Sequence, residues 1–231
     1  MHPINSAEDP RVLEARALQR EYEKGLESDQ YGTALSLLRA MDGIYQNTAG
    51  YEHSFERGVV WNNMASVYLV QLETAILGEG DIDRTWMVAT LDTAELYLRK
   101  AITVYNDWVA TMGTLSKAEL ERIIRPTFDL DDPKLTGKNV ETLIKKRVDD
   151  LLLAQIENKR RLSVTYANLG MVERYQGNLE EAKGSYEKAI ALWDRNYTAK
   201  NNLNILLNRP VEKRSMVDRL FPPERAAELK K

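Results

Sequence analysis

Apolar residues in this chain recur every three or four positions, the spacing that places them on one face of a helix. Tyr31, Ala34, Leu38 and Met41 form one such face, and a helix from about Pro10 to Leu26 precedes it. Either Leu18 or Tyr22 takes the position between these two helices, and the spacing does not choose. A longer helix follows: Trp61, Met64, Val67, Leu69, Val70, Leu72, Ile76 and Leu77 extend it well past four turns. Asp81-Ile82-Asp83 caps the next, which carries Ala94, Leu98 and Ala101 and runs on through Tyr105, Trp108, Val109 and Met112. Ser116-Lys117-Ala118-Glu119 is a capping-box pattern, opening a short helix to about Arg125 that Pro126 ends. The stretch 127–138, with Asp129-Leu130-Asp131-Asp132-Pro133 and Gly137, reads as loop. Asn139 then caps a helix that continues to about Gln176, roughly 55 Å at 1.5 Å per residue. Its early apolar residues Ile144, Val148, Leu151, Leu152 and Ile156 need a partner, and the segment carrying Trp108 and Met112 is the nearest. The expectation is a helical insertion, residues 108–160, standing off the rest as a projection.

A repeat lies on these helices. Tyr166-Ala167-Asn168-Leu169-Gly170 is followed by Tyr175-Gln176-Gly177-Asn178-Leu179-Glu180-Glu181-Ala182 and then by Tyr186-Glu187-Lys188-Ala189. Gly170 and Ala182 let two helix backbones approach, Gly177 takes the turn, and Leu169 and Tyr186 fill the space between. This unit resembles the tetratricopeptide repeat, a helix-turn-helix module of about 34 residues. Glu173 departs from the family pattern, which has an aromatic there, and Tyr175 stands nearby. A second copy runs from Trp61-Asn62-Asn63-Met64-Ala65-Ser66-Val67-Tyr68 to Ala94, Leu98 and Ala101, about 17 residues longer than the usual spacing, so both its helices are extended. A third copy contains Tyr31, Ala34, Leu38 and Met41, and Ala199 to Leu207 reads as a solitary first helix capping the stack. The resemblance implies an all-α fold over 10–207: repeats near 10–47, 54–107 and 163–196, a capping helix at 198–207, and the insertion. Residues 208–231 form a C-terminal tail, expected to dock on its own repeats through Met216, Leu220 and Phe221 or to be held by a neighbour.

Composition agrees with helices and narrows the partners. The 231 residues include only 12 Gly and 7 Pro, and 43% are hydrophobic. With 32 basic and 35 acidic side chains the net charge is -3, too balanced to hold a nucleic-acid backbone or an anionic membrane surface. No apolar run is long enough to span a bilayer, and the first ten residues lack the basic start and apolar core of a signal peptide. There is no cysteine. The expected compartment is the cytoplasm, or the periplasm or exterior if a leader has been removed.

Stacked repeats present their first helices on a concave surface that binds extended peptides or helices. Asparagine recurs there: Asn63 before Met64, Asn168 before Leu169, Asn202 before Leu203. An amide both donates and accepts, so such a row pairs with a bound backbone whatever its sequence. The resemblance to peptide-binding members, including those like the kinesin light chain, implies that role here. The simpler alternative is that asparagine is merely tolerated on an exposed face. The neighbouring Val59, Ser66, Val164 and Met171 supply no full cationic clamp for a terminal carboxylate, while Ser66 and Met171 join the asparagines as candidate peptide contacts. Arg20, Arg57, Arg160, Arg174 and Lys200 read as solvated rim.

Enzymatic chemistry finds no support. His2 and His53 are the two histidines, and no nucleophile motif or phosphate loop is present. Asp129, Asp131 and Asp132 lack the glycine and closing glutamate of a calcium loop. Neither a cofactor nor a metal is expected. Trp61, Trp86, Trp108 and Trp193 fall at helical apolar positions and read as core, with Trp108 the one to test because the insertion has least core to bury it; an exposed apolar surface there would mark a second interaction site. The sequence thus predicts a scaffold or adaptor that binds a peptide segment of a partner protein. The alternative is a structural subunit that contacts copies of itself or a larger complex through the projection and tail.

Overall fold

The computed structural model describes residues 8–78 and 81–212, and among these there are eight α-helices and no strand. In order they are α1 (Leu13–Glu27), α2 (Tyr31–Gln46), α3 (Phe55–Leu77), α4 (Arg84–Met112), α5 (Lys117–Ile124), α6 (Val140–Tyr175), α7 (Leu179–Leu192) and α8 (Tyr197–Leu206). None is long and apolar enough to cross a membrane. The chain divides into two compact units, Met1–Asn158 and Lys159–Lys231, with the boundary inside α6. The tail beyond 212, with Met216, Leu220 and Phe221, and the terminal His2 lie outside the described residues.

Local signals set the helix ends. Asp83 accepts from the Thr85 N–H at 2.8 Å and starts α4. The box at Ser116 and Glu119 is formed and starts α5, and the Asn139 side chain accepts from Thr142 N–H at 3.2 Å ahead of α6. Accepting from the Ser116 hydroxyl and backbone N–H holds the Glu119 carboxyl below its ordinary pKa. α1 begins three residues later than the sequence suggests. Asp9 accepts from the Arg11 N–H at 3.0 Å and organises a turn, so the helix proper starts at Leu13. The open register of α1 is settled by burial: Ala15 and Tyr22 are buried, and Leu18 is half-buried against the same core.

In the first unit α1–α2 and α3–α4 are antiparallel hairpins. Asp29 closes the first turn in the left-handed region (φ 55°), and the Gln30 N–H reaches back to Gly25 O at 2.9 Å. The Gly58 backbone lies against Tyr105, so close that a Cβ there would sit 2.7 Å from the ring.

The insertion does not stand off as a projection. Leu120, Ile124, Phe128, Leu135, Leu143, Ile144, Val148 and Leu151 are all buried within the first unit. Trp108, the tryptophan with least evident cover in the sequence, is 3% exposed and meets Phe55 edge-on at 5.6 Å. The first half of α6 is tied on three sides: Arg147 pairs with Glu56 of α3, Arg16 of α1 lies 3.7 Å from Asp150, and the Gln155 amide donates to Met112 O and Leu115 O at 2.7 and 2.9 Å. Two amphipathic segments each needed cover, and both find it inside the first unit.

Candidate functional site

In the second unit the end of α6 pairs with α7 and then α8. Gly177, at φ 86°, turns the chain, with the Asn178 N–H bonded to Glu173 O at 2.8 Å. Gly170 faces Tyr186 so closely that a Cβ would lie 2.6 Å from the ring, and Tyr186 is fully buried. Its hydroxyl finds no hydrogen-bond partner among the described residues, and burial raises its pKa from 10.0 to about 12. α8 is pinned by a neutral polar knot. Asn196 accepts from Ala199 N–H at 3.0 Å and donates to Ser163 Oγ at 2.9 Å, while the Ser163 hydroxyl donates to Ala189 O at 2.6 Å.

This frame places Asn168 on α6 and Asn202 on α8, on the helices before and after α7 and both half-buried. The residue after each faces inward, since Leu169 is buried and Leu203 packs on the Ala167, Ala182 and Tyr186 core. Each amide therefore sits at the margin between core and solvent. Met171 packs against that core as well, so much of its surface is used internally. Arg160 lies over the Trp193 ring at 5.1 Å and Arg174 over Tyr175 at 5.2 Å, which gives these rim cations aromatic partners.

In the first unit Asn63 and Ser66 lie half-buried on α3, flanking the buried Met64 and Ala65. The Ser66 hydroxyl donates to Asn62 O at 3.0 Å, one turn back.

One feature of this unit was not read from the sequence: a shallow cleft of about 380 Å³ between α3 and α4, lined by Arg57, Trp61, Leu96, Arg99 and Lys100 among others. Trp61 is half-buried at its floor, with the Arg57 guanidinium 4.7 Å above the ring and Lys100 Nζ at 6.0 Å. The signal was the spacing of Arg57 and Trp61, four apart on a helix. Arg57 is also paired with Asp42 at 2.7 Å and Arg99 with Glu95 at 2.6 Å, so the cleft is an aromatic surface with balanced charge rather than an anion site.

The buried charges of the first unit are structural. Arg147, 3% exposed, pairs with Glu56 and lies 3.9 Å over the Tyr51 ring, whose hydroxyl donates to Asp9. Burial works to lower the Arg147 pKa, but Glu56 and Tyr51 outweigh it and hold the guanidinium above its ordinary value. His53 is exposed, and the Asp129 and Asp132 carboxylates accept from nearby backbone N–H groups at 3.0 and 2.8 Å. Among the described residues no group of three His, Cys, Asp or Glu side chains is placed to hold a metal ion. Comparison with family models, with curated proteins and with solved structures yields no match to this chain.

Proposed function

We propose that this protein is a tetratricopeptide-like scaffold or adaptor that holds an extended peptide segment of a partner protein, and that it is not an enzyme. The observation that carries the reading is the placement of Asn168 and Asn202. They lie on the helices before and after α7, each half-exposed directly ahead of a leucine that faces the core. An asparagine amide carries both a donor and an acceptor, the two groups that a peptide backbone also presents, so its chemistry suits main-chain recognition whatever the side chains. Asn63 stands in the same relation to Met64 in the first unit. The aromatic floor at Trp61 adds an apolar anchor of the kind that dominates protein interfaces.

The test is affinity capture from the native host with Asn63, Asn168 and Asn202 changed together to alanine. Loss of partners with unaltered helicity and melting temperature supports the reading. Full recovery of the same partners removes the asparagines from the account.

A further inference from the structure

We infer that α8 carries a second main-chain recognition site, Asn201 with Lys200 beside it, which the chain fills in cis with its own Glu212 and so withholds from extended acidic peptides. The inference rests on the peptide-binding reading above and adds a regulated site to it.

The local sequence turns the chain back on itself. Asn208 takes the left-handed conformation (φ 54°), its N–H bonds to Ile205 O at 3.2 Å, and the Arg209 N–H bonds to Asn204 O at 2.7 Å. These two bonds complete the end of α8. Pro210 has no N–H and cannot continue the helix. Two residues later the Glu212 N–H donates to Asn201 Oδ1 at 2.7 Å, and the Glu212 carbonyl accepts from Asn201 Nδ2 at 3.1 Å. One amide thus pairs with both backbone groups of a single residue, as a neighbouring strand does, and takes no account of side-chain identity. Lys200 Nζ, 3.9 Å from Glu212 Oε2, supplies the preference for an acidic residue.

Two facts separate this contact from an ordinary helix cap. The α8 terminus is already satisfied at Arg209, so closing the helix does not require Asn201. Residues Arg209–Glu212 are exposed, and among the described residues Glu212 is held against the helix by a pair of surface hydrogen bonds and one long ion pair, contacts that exchange readily. The segment therefore acts as an internal competitor.

The full chain tests this with a fluorescent synthetic peptide of alternating valine and glutamate as the probe, its binding followed by anisotropy. Glu212→Pro removes the donated N–H and opens the clip while leaving Asn201 and Lys200 in place. It is expected to bind the probe about tenfold more tightly than the unaltered chain, the equivalent of two modest hydrogen bonds no longer contested. Adding Asn201→Ala abolishes that gain. In the otherwise unaltered chain, Asn201→Ala speeds hydrogen exchange at the Glu212 amide by about tenfold. Equal probe binding by the Glu212→Pro and unaltered chains overturns the inference, as does a gain that survives Asn201→Ala. If partner capture still depends on Asn63, Asn168 and Asn202 while Glu212→Pro gains nothing, the cis-filled site falls and the peptide-binding reading stands.

Discussion

The α1–α2 hairpin of the first unit and the α6–α7 hairpin of the second turn in the same way but divide their volume in opposite senses. Each closes on a left-handed residue, Asp29 or Gly177, two positions before its second helix. Aligned on that turn, Ala34 matches Ala182, both fully buried, but Tyr22 stands where the second unit has Gly170, and Leu38 where it has Tyr186. The large side chain is on the first helix in one hairpin and on the second in the other. What a close-packed interface conserves is the summed volume across the gap, not the residue at either side. The units differ too in how their polar groups are buried. The first encloses the ion pairs Arg147–Glu56 and Arg11–Asp9, the second the neutral Ser163–Asn196 knot.

Substitutions at four positions probe this contrast. The largest effect is expected from Glu56→Ala, which leaves Arg147 charged, buried and without its carboxylate, at a cost of about 3–5 kcal/mol. Hydrogen exchange read by mass spectrometry should show protection lost over α3 and α4 while α7 and α8 keep theirs. Equal loss in both units would mean that they unfold as one.

Gly170→Ala drives a methyl into the Tyr186 ring and should cost about 1–3 kcal/mol, seen as a lower denaturant midpoint for the second unit. Adding Tyr186→Leu gives this hairpin the leucine found in α2 and should restore much of the loss. If the double variant is no better than the single, summed volume is not what the interface conserves.

Tyr186→Phe removes a buried hydroxyl that has no hydrogen-bond partner among the described residues, so stability at neutral pH should rise by up to about 1 kcal/mol. The pH dependence has a definite sign. Unfolded tyrosine ionises at 10.0 and folded Tyr186 only at about 12, so between these values the unfolded chain binds fewer protons. The stability conferred by the neutral phenol is complete below pH 10.0 and drains away as the pH rises towards about 12. Thermal melts across that window should show a shallower alkaline loss for the variant. Tyr45 of the first unit, also raised to about 12 by its burial, keeps its own contribution to that loss.

The smallest effect is stabilising too. A Cβ on Gly25 meets Ala34 at 3.9 Å, an ordinary contact, so Gly25→Ala should stabilise by about 0.5–1 kcal/mol through helix propensity. A lower melting temperature would show that α1 and α2 pack more tightly than that distance implies.

These contrasts also show which parts of the molecule could be read in advance. The start of α4 at Asp83, the box at Ser116 and Glu119, and the cap at Asn139 were legible because each is a bond between groups within three residues of one another. The α6–α7 hairpin was legible because a glycine opposite a tyrosine is a distinctive pairing, whereas Tyr22 facing α2 leaves no such mark and the register of α1 stayed open. The cleft at Trp61 was missed because its walls come from two helices, with Arg57 and Lys100 far apart in the chain. Of the candidate peptide contacts, the sequence supplied the asparagines and their positions ahead of inward-facing residues. It did not show that Met171 spends its side chain on the core, or that Asn201 is the asparagine that grips a backbone.

By itself the sequence determined that the described chain is helical, where most helices begin and end, and that apolar stripes on α4 and α6 needed cover. Those properties follow from backbone propensity, capping and periodicity, which act over a few residues. Only the tertiary structure decided what covers what. It laid the insertion inside the first unit instead of letting it project, buried Trp108 against Phe55, enclosed Arg147 with Glu56, and returned Glu212 to Asn201. An amphipathic face states that it must be buried but carries no address for its partner. The partner is chosen by the collective packing of side chains distant in sequence, where shape and charge are matched all at once.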